Sequence, residues 1–481
     1  MENCISPSTT SPALAVSIIL SGAIATWTLY CLLFSPLRAF PGPLLARVSP
    51  LWIILQCRRG RRSQAVSDLH EQYGDFPPVR VLEGTILSRY ALLRRPQLPY
   101  QADIESVLPF HQVEPVLFNT RNPQVHQRKK KIVSPAFSAK RLQDFEPYMM
   151  KNMQKLIKSI DQRLQTSERI TLDFNVYANF LAFDVIGMPP VPFPLVNTSL
   201  IGPGDFAFGE SFSFLDRGED YLNLIEAVDA RGEVLNALGH IPQSLRSLVK
   251  RLPLDTFWSQ GLRGTRALAA IGTKAYFNRR NQVKSRKDLL SFLFKANDPE
   301  TGEALGEKEI IAESISFIVG GSDTTSTSMV NVVDIVSRSE LTQRHLQEEL
   351  DGAFPGEMSE DWVADFRTVE SLPVLNAIVR ETMRFRPTSA TGLERVTPKG
   401  GKRWLDEGAS TLLESFVPFS IGPRACIGRN FAWMEILKTL ATLFKLYQLE
   451  RISVGDTMLR EGFFVKTREC EVVLRRRVSR A

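Results

Sequence analysis

The sequence predicts a mainly α-helical fold with small β-sheets (α+β), carried on an N-terminal transmembrane helix. Three observations lead there. Ala13 to Phe34 carries no charge and is long enough to cross a bilayer core as one helix. Long helical windows recur along the chain, among them Phe145–Leu164, Glu307–Arg338 and Asn430–Lys445. Strand signals are short and few, at Pro78–Val81 and in a final hairpin within Arg460–Leu474. With 481 residues, 43% hydrophobic and 23% charged, the chain has room for one large domain or for two or three average ones, and wholesale disorder is excluded.

From the N-terminus, Met1–Thr10 carries only Glu2, whereas positive charges follow the apolar run at Arg38, Arg47, Arg58, Arg59, Arg61 and Arg62. A cleaved signal peptide would have a basic start and a shorter apolar core. Residues 13–34 therefore read as a single-pass anchor, with residues 1–12 lumenal and the body cytosolic by the positive-inside rule. Phe40-Pro-Gly-Pro43 breaks any helix, so residues 35–62 read as a basic, proline-rich hinge and the body is expected over 63–481. Ser63–Tyr73 reads as a helix, and Leu82–Val113 shows only weak alternation. Phe180–Ile186, Tyr221–His240 and Gly261–Lys287 supply further helices. Between the first two of these, Met188–Gly204 holds five prolines and two glycines, with neither helical nor strand period.

The formal charge of +7 is dispersed, and neither zinc-ligand spacing nor an aromatic-interleaved basic patch is present, which argues against nucleic acid as a partner. The five cysteines (Cys4, Cys31, Cys57, Cys426, Cys470) are scattered and odd in number, which fits a reducing compartment better than a disulfide framework.

Chemistry concentrates in Phe419-Ser-Ile-Gly-Pro-Arg-Ala-Cys-Ile-Gly428. Gly422 and Gly428 let the backbone turn closely around Cys426, so that backbone N–H groups can face a thiolate. Arg424 offers a cation to a cofactor carboxylate. A cysteine loop opening onto the apolar window Asn430–Lys445 suits an axial ligand to haem iron. The pattern F-x-x-G-x-R-x-C-x-G, complete at Phe419, Gly422, Arg424, Cys426 and Gly428, resembles the haem-binding loop of the cytochrome P-450 monooxygenases. The proline hinge after an anchor resembles the front of the microsomal members.

The resemblance extends to Ile318-Val-Gly-Gly-Ser-Asp-Thr-Thr325. Adjacent glycines inside a helix cost roughly 1 kcal/mol each against alanine, so a local reason is expected. In the family this stretch crosses the haem. Gly320 and Gly321 match the small residues that leave room for dioxygen, and Asp323 and Thr324 match the acid–alcohol pair that delivers the two protons needed to split O–O. The plainer reading is that Thr324 and Thr325 bond back to helix carbonyls. His126 and Lys130, one helical turn apart, match the pair that reaches a haem propionate, with lysine in place of the usual arginine; Arg395 matches a second propionate contact. Glu381 and Arg384 match the buried E-x-x-R, which Arg403 would close into a network. Phe206, Phe208, Phe212, Phe214 and Leu215 are candidate pocket residues, though such a stripe is more often plain core.

The resemblance implies a cytochrome P-450 fold, haem b (iron protoporphyrin IX), and insertion of one oxygen atom of O₂ into a small lipophilic substrate. No nucleotide-binding fingerprint is present. Electrons would come from NADPH through a separate flavoprotein reductase, with cytochrome b5 as a second candidate donor. Localisation would be the endoplasmic reticulum membrane. The C-terminal motifs are similar to those of fungal enzymes of secondary metabolism and of benzoate-type aromatic hydroxylases. Two further classes fit the same loop: haem-dependent isomerisation or dehydration without a reductase, and a non-catalytic remnant. Seven residues separate Arg395 from Arg403 where family members carry several tens, so a segment is expected to be missing there.

Overall fold

The computed structural model describes residues 12–35, 41–73, 114–120, 122–187, 212–241, 245–246, 249, 255–281, 288–389, 418–420, 422–452 and 457–477. The expected strand at Pro78–Val81, the Met188–Gly204 stretch and the approach to Arg403 lie outside the described residues.

The apolar run forms α1 (Pro12–Leu33), long and apolar enough to cross a membrane, with side chains almost all exposed. The hinge expectation needs correction. Past the prolines the chain re-enters helix at once, as α2 (Leu44–Val48) and α3 (Leu51–Arg58), followed by α4 (Arg62–Tyr73). Ile53, Ile54 and Cys57 on α3 are buried with Val234, Leu238 and Trp258, and Arg58 pairs with Asp255 at 2.7 Å. The reason is burial: α3 carries an apolar face that the body covers, so the folded body begins near Leu44.

In α5 (Pro123–Val133), Asn122 caps the first turn and proline sits at its start, where no N–H is needed. A 3₁₀ turn at Ser134–Phe137 leads into α6 (Ala139–Leu164). Strand β1 (Ile170–Asp173) ends at Asp173, whose carboxylate accepts from Asn175 N and opens α7 (Phe174–Ile186). Next come α8 (Phe214–Arg217), α9 (Leu224–Leu238), α10 (Thr256–Asn281) and α11 (Leu289–Leu293). Helices α9 and α10 pack so closely that a Cβ on Gly264 would stand 2.3 Å from the Ala227 carbonyl oxygen. Phe212, Phe214 and Leu215 are buried against Phe180 and Phe183; these candidate pocket residues are core.

The centre is α12 (Glu307–Ser337), whose first turn is fixed by Glu309 accepting from Gly306 N at 3.0 Å. It is buried along most of its length and touches α7, α10, α15 (Pro373–Phe385) and α16 (Arg429–Leu446). Helices α13 (Glu340–Ala353) and α14 (Phe366–Glu370) fill the space behind α16. Strands β2 (Tyr447–Arg451) and β1 flank β5 (Glu471–Arg476) in an antiparallel sheet in which Leu474 faces both Ile170 and Leu449. Strands β3 (Leu459–Glu461) and β4 (Val465–Thr467) form a separate hairpin. The expected final hairpin is therefore divided: Leu459–Thr467 turns back on itself, while β5, with buried Val472 and Leu474, joins the other sheet.

Candidate functional site

A cavity of about 420 Å³ lies between the cysteine loop, α12, α5 with the stretch before it, α9 and the β3–β4 hairpin. Cys426, Gly320, Thr324, His126, Lys130, Arg424 and Phe419, separated by up to three hundred positions in the chain, all line it.

Gly422 takes φ +77°, the left-handed region that glycine tolerates, and opens a 3₁₀ turn. Behind it, Cys426 N donates to the Phe419 carbonyl at 2.8 Å and folds the loop over. Gly428 differs from expectation. Its φ of −83° suits any residue, and a Cβ there would meet nothing within 4 Å, so the turn does not require glycine. The surface that the Cys426 thiol exposes is cavity wall. Burial pushes the thiol up, while the Gly428 backbone N–H, the Arg429 charge and the Arg429 N–H pull the other way. These groups favour a thiolate once a cation faces it.

His126, Lys130 and Arg424 gather at one side of the cavity. Lys130 Nζ donates to the Pro423 carbonyl, and Arg424 donates to the Thr120 carbonyl at 2.8 Å. Burial, then the charges of Arg424 and Lys130, hold His126 down at about 4, so its imidazole is neutral. Three basic groups set against each other around a cavity suit an anionic group, as the two propionates of haem are. Together with an accessible thiol and the open space at Gly320, this donor set fits haem. Cys426 would hold the iron; His126, Lys130 and Arg424 would hold the propionates. Arg395 lies outside the described residues.

On α12 the two glycines part company. A Cβ on Gly320 would meet nothing within 4 Å, so Gly320 leaves open cavity. A Cβ on Gly321 would stand 2.7 Å from Ile186 Cδ1, so that glycine lets α7 approach. Thr324 Oγ1 donates to the Gly320 carbonyl at 2.7 Å, which is the back-bonded geometry. Its oxygen keeps acceptor capacity on a residue that lines the cavity. Asp323 is buried and pairs with Lys466 at 2.8 Å; Lys466 also binds Asp229, and Asp229 binds Arg460 at 3.0 Å. Burial pushes Asp323 up to about 6, against the pull of Lys466. The ion pairs run on from Arg460 to Glu226, whose side chain is 67% exposed. Asp323 thus connects with the surface through charged side chains.

The E-x-x-R pair forms, with Arg384 Nη2 2.6 Å from Glu381 Oε1, but it is not buried: the side chains are 62% and 66% exposed. Leu375, Val379, Thr382 and Met383 are the face of α15 turned inward, which puts Glu381 and Arg384 outside. Arg403, the expected closing partner, lies outside the described residues.

Sequence reasoning missed Lys466 and Arg231. Lys466 sits in a short strand between Val465 and Thr467, where a lysine reads as solvated. Arg231 had a visible signal. Val228, Arg231, Gly232 and Leu235 follow the i, i+3, i+4, i+7 spacing of one helix face, and all four line the cavity.

Residues 203–402 and 400–472 match the family model for cytochrome P-450. The benzoate 4-monooxygenase bphA of Aspergillus niger is 31% identical over 511 aligned positions, covering 92% of this chain and 93% of the relative. The cytochrome P-450 monooxygenase BOT4 of Botryotinia fuckeliana is 26% identical, covering 93% and 87%. A crystal structure of a cytochrome P-450 (CYP102L1) shares the fold at a TM-score of 0.63 and 17% identity, over 86% of this chain and 98% of that one. The family match breaks at residues 400–402, inside the interval where a missing segment is expected.

Proposed function

The chain belongs to the cytochrome P-450 family and is a monooxygenase, and we propose that it oxidises a small, largely apolar substrate held between α9, α12 and the β3–β4 hairpin. The observation that carries this reading is the convergence of Cys426, Gly320 and Thr324 on one cavity whose basic side chains suit the propionates. When bound, haem with a thiolate ligand activates O₂, using electrons that a reductase supplies. Thr324 would order a water through its free acceptor capacity, and Asp323, which burial brings closer to neutrality, would take up and pass on a proton, refilled through the Lys466–Asp229 chain. Apolar residues of the wall, Phe137, Leu268 and Ala269 among them, exclude bulk water.

The resemblance of the C-terminal motifs to fungal enzymes supports a secondary metabolite as substrate, and the Aspergillus niger relative, a benzoate 4-monooxygenase, supports a second reading, an aromatic acid. An NADPH-dependent flavoprotein reductase is the proposed electron donor, with cytochrome b5 as a second. The exposed apolar helix α1 and the basic residues after it support anchoring in the endoplasmic reticulum membrane with the body in the cytosol. The testing experiment is a carbon-monoxide difference spectrum of the reduced full chain. A red-shifted Soret band, absent from Cys426→Ala, is expected. A band typical of neutral thiol or histidine ligation overturns the assignment of Cys426.

A further inference from the structure

The cavity contains a cation whose partner the described residues do not supply. Arg231 occupies the inward face of α9, flanked one turn either way by Val228 and Leu235, with Leu268 and Ala269 of α10 in the same wall. Its neighbours in charge are committed elsewhere. Arg460 holds Glu233 at 2.7 Å and Asp229 at 3.0 Å. Lys466 holds Asp229 and, at 2.8 Å, Asp323. Glu313 accepts from Leu117 N at 2.7 Å and faces Lys129 at 3.5 Å. Among the described residues, no hydrogen bond or ion pair joins the Arg231 guanidinium to an acceptor.

That arrangement leaves the guanidinium open to a ligand. A guanidinium presents five N–H donors and stays charged, and the half-buried Arg231 turns its donors to the cavity, where water meets them only until an apolar ligand displaces it. Burial pulls Arg231 down to about 10, with the Asp323 charge acting against it. An apolar residue would fill an inward position on α9 more cheaply, so an arginine there needs a reason that the described residues do not provide. A planar fork of donors beside the apolar residues Val228, Leu235, Leu268 and Ala269, with the neighbouring charges already paired, matches one chemistry best, a carboxylate taken by two parallel hydrogen bonds.

We propose that Arg231 is the specificity-determining residue of this cavity and that the substrate is a carboxylic acid with an apolar body, bound through its carboxylate. This deepens the function proposed above and rests on it for the reaction. It separates the two readings of the substrate: a neutral metabolite gives Arg231 no work, whereas an acid completes it.

The test uses the full-length haem-loaded enzyme, with Arg231→Gln and Arg231→Lys beside it. Benzoate, trans-cinnamate and octanoate are each titrated against their own methyl esters, which keep the shape and lose the charge. Binding is followed by the haem spin-state shift and by calorimetry. At least one acid should bind the wild type about tenfold or more tighter than its ester, because a desolvated charge pair is worth that or better. Arg231→Gln should erase the ratio, and Arg231→Lys should retain part of it, having the charge without the fork. Thermal unfolding of both variants checks that the fold is kept. The Lys variant carries the test alone where the Gln variant does not fold. Wild type that prefers no acid over its ester, or a preference that survives in Arg231→Gln, overturns the proposal. Calorimetry does not depend on the haem spectrum. An acid preference without a thiolate spectrum would therefore sink the haem-thiolate reading and spare Arg231; the reverse pattern would sink Arg231 alone.

Discussion

Lys129 shows how one buried charge can hold two parts of the cavity wall together. Its side chain is 2% exposed; Nζ donates to the Pro115 carbonyl at 2.6 Å and lies 3.1 Å from Glu309 and 3.5 Å from Glu313. Glu313 in turn holds Leu117 N. The stretch before α5 is thereby fastened to α12. Burial pushes Glu313 up to about 7, with the Lys129 charge and the Leu117 N–H opposing. Removing the lysine leaves a buried carboxylate without its counter-charge, which should cost about 3–5 kcal/mol. Lys129→Met should therefore unfold at lower urea concentration. The loss should be larger at pH 8 than at pH 6, where Glu313 can take a proton and lose its charge. Lys129→Met with Glu313→Leu should recover most of it. Equal losses at the two pH values would show that packing, not charge, is what the lysine contributes.

At the scale of elements, α12 tests whether adjacent glycines do one job or two. Gly321→Ala drives a methyl into Ile186, a clash that should cost about 1–3 kcal/mol of unfolding free energy and be relieved by Ile186→Val. Gly320→Ala meets no atom and should gain up to about 1 kcal/mol in helix propensity while narrowing the cavity. Denaturant melts of the two variants decide it: similar losses in both would mean that the glycines share one packing role. The helix itself was legible in the sequence, because its apolar period and first-turn glutamates are local signals. The Cys426 loop was legible for the same reason, since five spaced residues carry it. What was not legible depends on partners distant in the chain. Nothing near Ile53 announces that Val234 and Trp258 will bury it, and nothing near Glu381 tells which face of α15 turns out. Lys466 reads as a surface residue until Asp323, more than a hundred positions earlier, is beside it.

Across the whole molecule, Asp334 is the junction. From the inner end of α12 it takes Arg386 at 2.6 Å, Arg451 at 2.8 Å, Arg338 at 3.0 Å and the Thr457 hydroxyl at 2.7 Å. It thus joins α12 to the end of α15, to β2 and to the approach to β3. Burial alone would raise this carboxyl, but hydrogen bonds from Thr457, Arg451, Arg386 and Arg338 prevail and hold it at about 2. A carboxylate held below its unfolded value stabilises the fold above that value and loses the contribution as pH falls through the folded one. Roughly 2 kcal/mol should disappear between about pH 4 and pH 2. Asp334→Asn should flatten that part of the stability–pH curve; an unchanged slope would assign acid unfolding to other carboxylates.

The collar formed by α2 and α3 has a practical consequence for preparing this protein without its N-terminal apolar helix α1. The natural place to cut would seem to be the basic run ending at Arg62. A cut there removes Ile53, Ile54 and Cys57 and uncovers Val234, Leu238 and Trp258 on the body. The product should aggregate. Starting the chain at Leu44 keeps those side chains covered, and size-exclusion chromatography of the two versions should give a single dispersed species for the longer one.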